Sequence, residues 1–98
     1  MKITKNEYYV VVKDSDKEIY YVKFELTDDN KFEFSYNILP VEKHDSYDEA
    51  KNIKDVFELA LKANKFIKKD SALFIGEVKE VFIEHRKLVT TIETRKLY

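Results

Sequence analysis

The chain has 98 residues, one Gly, one Pro and no Cys, with 44% hydrophobic and 14% aromatic residues and a net charge of −1 from 18 basic and 19 acidic groups. That is one domain, residues 1–98, with enough apolar content to fold. The composition excludes a disordered tail, a linker, a glycine-loop phosphate binder, disulfides, thiolate zinc sites, Fe–S clusters and cysteine nucleophiles.

The first elements read as strands. Tyr8–Lys13 and Glu18–Leu26 are rich in Tyr, Val, Ile and Phe and flank the polar run Asp14-Ser15-Asp16-Lys17. A loop of two or four residues there pairs Val11 with Tyr20 and Tyr9 with Val22. A third strand, Lys31–Leu39, follows Asp28-Asp29-Asn30, and a three-residue loop with Asn30 in the left-handed position sets Leu26 against Phe32, Phe24 against Phe34 and Val22 against Tyr36. The predicted core face is therefore Tyr9, Val11, Tyr20, Val22, Phe24, Leu26, Phe32, Phe34, Tyr36 and Ile38. The opposite face carries Tyr8, Val10, Val12, Ile19, Tyr21 and Leu39 toward one end and Lys23, Glu25 and Glu33 toward the other.

A helix is expected from Tyr47 to about Ile67. Ser46 and Glu49 stand in the capping-box relation, and Asp48 lies in the first turn, where the helix dipole favours acids. Ala50, Ile53, Phe57, Ala60, Asn64 and Ile67 form one row, with Val56, Leu59, Ala63 and Phe66 beside it. This arc is wider than the stripe a helix needs to cover one sheet, so the helix should be in contact on two sides. Beyond it, Leu73–Ile83 reads as a strand around Gly76, Glu84-His85-Arg86-Lys87 as a turn, and Leu88–Thr94 as a last strand. The expected fold class is α+β: an antiparallel three-stranded β-meander, one long helix packed on it, and a C-terminal β-hairpin.

Catalytic chemistry finds little support. His44 and His85 are the only histidines, and no serine stands in a pattern that marks a nucleophile beside a base. His44, Asp45 and Asp48 read as a loop entering a helix cap rather than a metal site, and the Asp14/Asp16 and Asp28/Asp29 loops lack the Gly and terminal Glu of a calcium loop. Glu25 and Glu33 face each other on an open sheet surface rather than in a pocket. No enzyme, cofactor or metal is expected. No run approaches the roughly 18 apolar residues of a membrane span, and the N-terminus lacks a signal-peptide core, so a cytoplasmic location without membrane contact is expected.

Binding chemistry is better represented. Exposed apolar clusters containing Tyr mark interaction surfaces, which nominates Tyr8, Val10 and Tyr21 as anchors. Residues 14–49 hold 4 basic and 11 acidic groups, and within them Glu25, Asp28, Asp29 and Glu33 would steer a basic partner. An alternative is weak nucleic-acid binding through Lys62, Lys65, Lys68, Lys69, Arg86, Lys87, Arg95 and Lys96. Only Arg86 and Arg95 carry the planar fork that reads phosphate and base edges, and this argues against it. A second alternative is a small structural homodimer joined through the sheet.

In its short length, Lys-heavy composition, lack of Cys, β-meander and helix opening Ser46-Tyr47-Asp48-Glu49-Ala50 followed by the strand Gly76–Ile83, the chain resembles small accessory proteins of phages and mobile elements of low-GC Gram-positive bacteria, anti-CRISPR proteins among them. The resemblance implies a non-enzymatic inhibitor of a nucleic-acid-handling or defence enzyme that acts by surface occlusion. The strongly acidic character of many nucleic-acid mimics in that class is absent overall.

Overall fold

Two residues in the left-handed region, Lys17 (φ 64°) and Asn30 (φ 59°), set the geometry of the sheet. The computed structural model describes residues 1–63 and 76–91. Its elements are β1 (Lys2–Asp14), β2 (Ile19–Leu26), β3 (Phe32–Asn37), α1 (Tyr47–Ala63) and β4 (Val78–Thr91). The strands form one antiparallel sheet in the order β3-β2-β1-β4, so the described residues make an α+β fold with one helix and four strands.

The β2–β3 register follows the expected pairing, with Leu26 opposite Phe32, Phe24 opposite Phe34 and Val22 opposite Tyr36. Asn30 closes this loop: Thr27 N–H donates to Lys31 O at 2.6 Å and Asn30 N–H to Thr27 O at 3.1 Å. The β1–β2 register differs from expectation by one residue. Val11 faces Tyr21 and Val12 faces Tyr20, because the loop has three residues, Ser15–Lys17, closed by Asp14 N–H donating to Glu18 O at 3.1 Å. Lys17 occupies the left-handed position that Gly or Asn usually marks. Asp14 holds the turn from inside, its carboxylate accepting N–H groups from Asp16 (3.0 Å), Glu18 (2.9 Å) and, across the fold, Gly76 (3.1 Å).

A one-residue slip exchanges the two faces of a strand. Tyr8, Val10 and Val12 therefore lie on the helix side with Val22, Phe34 and Tyr36, while Tyr9 and Val11 lie on the other. The core joins Val10, Val12, Val22, Phe34 and Tyr36 to Ala50, Phe57 and Ala60 of α1. Phe57 sits edge-on to Phe34 and Tyr36, with ring centroids 5.2 and 5.9 Å away. Leu26 and Ile38, both expected in the core, are instead 72% and 65% exposed.

The C-terminal hairpin is not formed as expected. Glu84-His85-Arg86-Lys87 runs straight through β4, opposite Tyr9, Tyr8, Glu7 and Asn6. Side-chain alternation continues unbroken through this run, with Phe82, Glu84, Arg86 and Leu88 on one face and Ile83, His85, Lys87 and Val89 on the other. The long β1 offers a partner for every position, and a charged run without Gly, Pro or Asn gives no reason to turn. Residues 73–75 and 92–94 of the expected strands, and the last part of the expected helix, lie outside the described residues.

Candidate functional site

The helix supplies the first part of the site. Glu49 N–H donates to Ser46 Oγ at 3.1 Å, the expected cap. Of the two apolar rows, one is buried through Ala50, Phe57 and Ala60. The other is left open, with Val56 39% and Leu59 65% exposed. Together with Phe32 of β3 and with Ala60 and Ala63, these two side chains line an almost wholly apolar groove of about 340 Å³. Leu26, opposite Phe32, extends the apolar surface toward the acidic turn Asp28-Asp29.

A second cluster occupies the sheet face away from the helix. Tyr21 Oη donates to Glu84 at 2.8 Å and accepts from Arg86 at 2.9 Å, Arg86 Nε donates to Glu84 at 2.6 Å, and Tyr9 Oη donates to Glu7 at 2.6 Å. The Arg86 guanidinium lies 5.3 Å from the centre of the Tyr9 ring and 5.9 Å from that of Tyr21. The Glu7 carboxylate raises the Tyr9 phenol above its ordinary value, with burial adding to it. Burial and the Glu84 hydrogen bond raise that of Tyr21. The arrangement leaves Arg86 committed to Glu84 and to two rings.

Between β1 and β2 the sheet splits, and Glu42 and His44 fill the gap. His44 exchanges main-chain hydrogen bonds with Tyr8, and the Phe24 N–H, directed toward β1, donates to the Glu42 carboxylate at 2.9 Å. The buried His44 imidazole has Glu42 and Glu49 oxygens 3.4 Å from its two nitrogens. Burial raises the Glu42 carboxyl above the usual range, against the Phe24 N–H and His44, which lower it. Among the described residues no group of three His, Asp or Glu side chains is placed to hold a metal ion.

The sequence-derived anchors divide between the faces. Val10 is 1% exposed inside the core and presents nothing to a partner, and Tyr8 is half-buried on the helix side, stacked on His85 at 4.6 Å. Both corrections follow from the three-residue first loop. Tyr21 stays on the outer face with Glu25 and Glu33, which pair as expected, and Lys23 relieves their repulsion by lying 3.2 Å from Glu25. Asp28 and Asp29 are exposed at the turn. Of the alternative basic set, Lys62 ends α1 and Arg86 and Lys87 lie on β4; Lys65, Lys68, Lys69, Arg95 and Lys96 lie outside the described residues. Leu26, expected in the core, is exposed, and Tyr9, expected on the helix side, lies on the outer face.

No family model matches the chain, and neither any curated protein nor any solved structure gives a significant match. No helix among the described residues is long and apolar enough to cross a membrane.

Proposed function

We propose that the protein is a non-enzymatic protein-binding module that seats an apolar segment of its partner in the groove between α1 and β3. The observation that carries this reading is the open second row of the helix: Val56 and Leu59 are exposed beside Phe32 in a groove with almost no polar lining. Grooves of this kind take the apolar face of an amphipathic segment, and the neighbouring Asp28 and Asp29 favour a segment with basic flanks. The two histidines serve packing roles that support a non-catalytic reading, His44 filling the split in the sheet and His85 stacking on Tyr8. That the partner is a nucleic-acid-handling or defence enzyme, and that binding inhibits it by occlusion, rests on the resemblance to phage accessory proteins.

The test is affinity purification from a low-GC Gram-positive lysate with the wild-type chain and with Leu59→Asp and Leu26→Asp, exposed positions where a charge leaves the core intact. A partner held by the wild type and lost with both variants supports the reading. An identical set of captured proteins from all three, or none from any, refutes it.

A further inference from the structure

The outer edge of β4 carries no partner strand among the described residues, and the hydrogen-bonding phase of the sheet shows which of its amides are open. In an antiparallel ladder each residue's N–H and C=O point to the same side, and successive residues alternate. Tyr8 spends both main-chain groups on His44 and Asp14 N–H donates to Glu18 O, so the even-numbered residues of β1 point away from β4. Tyr8 faces His85, Val10 faces Ile83 and Val12 faces Val81. These are non-hydrogen-bonded pairs, and Val81, Ile83, His85, Lys87 and Val89 must direct their N–H and C=O groups outward. Edge strands are commonly blunted by Pro, a bulge, a covering element or charged side chains, and of these, among the described residues, positions 80–91 carry only charges, Glu80, Glu84, Arg86 and Lys87. Residues 80–91 contain no Pro, and their pairing with β1 is unbroken from Glu80 to Thr91.

We propose that this edge pairs with the same edge of a second copy, antiparallel about a twofold axis at His85. A twofold perpendicular to the sheet keeps each side chain on its own face, which fixes the pairing as His85 with His85, Ile83 with Lys87, Glu84 with Arg86, Phe82 with Leu88 and Val81 with Val89 of the second copy. Glu84 then meets the opposite charge of Arg86, and Phe82 and Val81 meet the apolar Leu88 and Val89, while Ile83 lies against the aliphatic stem of Lys87 and His85 against itself. Leu88 and Val89, which are 48% and 55% exposed in the single chain, gain apolar neighbours. Val81 lines a groove of about 420 Å³ with Leu61 and Val78, rimmed by the charged Glu58, Lys62, Lys79 and Glu80, and Val89 of the second copy arrives at its mouth. The smallest slip that keeps the faces, two residues either way, sets Glu84 against Glu84 or Arg86 against Arg86, and like charges directly opposite are unfavourable. The charge pattern therefore selects the His85 axis. The result is a continuous eight-stranded sheet with an isologous interface.

The experiment is sedimentation of the full chain over a concentration series, paired with amide hydrogen exchange at low and high concentration. A monomer–dimer equilibrium is expected, with the Ile83, His85 and Lys87 amides becoming protected as dimer forms while the Phe82, Glu84 and Arg86 amides, already bonded to β1, change little. Arg86→Glu sets Glu against Glu84 and should weaken association at least tenfold, and the exchange Glu84→Arg with Arg86→Glu should restore it. His85→Pro removes an outward donor without touching the β1 ladder and should also dissociate the dimer; far-UV circular dichroism reports whether that variant folds, and the exchange pattern decides the matter if it does not. A chain that stays monomeric throughout overturns the proposal, and so does a dimer in which the Ile83, His85 and Lys87 amides remain open.

Discussion

Tyr8 and His44 exchange two main-chain hydrogen bonds, Tyr8 N–H donating to His44 O at 3.0 Å and His44 N–H to Tyr8 O at 2.8 Å. This short bridge takes the place of β2 along the outer half of β1, where β1 has β4 as its one partner strand among the described residues. It also fixes the side to which the amides of β4 point from Glu80 to Thr91. A single local contact thus links the loop before the helix to the open edge of the sheet.

The left-handed Lys17 gives the first prediction. A side chain at positive φ costs about 1 kcal/mol that glycine avoids. Lys17→Gly should therefore stabilise the protein by roughly 0.5–1 kcal/mol if the loop has three residues, measured as a rise in the urea midpoint at constant slope. A two-residue loop would give no such gain, because glycine would then sit at a strand position and cost stability.

Lys17 also marks where the sequence stopped being legible. Asn30 announces its left-handed conformation by residue type, so the β2–β3 register was readable down to the Glu25–Glu33 pair. Lys17 does the same job with no compositional sign, and one missed residue moved Tyr8 and Val10 to the wrong face. The helix cap at Ser46 is local chemistry and was readable, as was the excess width of the helix's apolar arc. Which of its two rows would remain open was not, because that depends on where α1 crosses the sheet. The Tyr9–Tyr21–Arg86 cluster needs β4 to lie beside β1, a pairing between residues far apart in the chain.

Asp14 should contribute to the acid limb of stability. Burial pushes its carboxyl upward, but the backbone donors of Gly76, Glu18 and Asp16 outweigh that and hold it below its ordinary value of 3.8. A depressed folded pKa means a contribution that is intact above the ordinary carboxylate range and lost as pH falls through the folded value. Asp14→Asn should lower the melting temperature at pH 7 and flatten its fall below about pH 4. Thermal melts between pH 2 and 7 decide this.

Phe57 is the packing centre of the helix–sheet interface, 0% exposed between Phe34 and Tyr36. Phe57→Ala should cost about 3–5 kcal/mol, the range for a buried aromatic replaced by a cavity, and Phe57→Leu should recover more than half of it. Val56→Ala, on the open row of the same helix, should cost less than about 1 kcal/mol. Equal losses at positions 56 and 57, read from urea unfolding, would mean that the second row is covered.

Glu42 separates the value of its hydrogen bond from the cost of its charge. The carboxylate accepts the Phe24 N–H where β2 parts from β1, and burial raises its pKa above the usual 4.5. For a group whose folded pKa is raised, stability is fully present below the ordinary value and declines as pH rises through the folded one. At pH 7 the ionised form is therefore a net burden. Glu42→Gln keeps an acceptor for Phe24 and discards the charge, and it should leave stability at pH 7 equal or higher while showing no advantage at pH 4. Glu42→Ala discards both and should cost about 1–3 kcal/mol at either pH, since the Phe24 donor is left without its acceptor. Urea denaturation of the three proteins at the two pH values separates these outcomes. A Gln variant as unstable as the Ala variant at pH 7 would show that the charge itself, facing His44 and Lys23, holds the split sheet together.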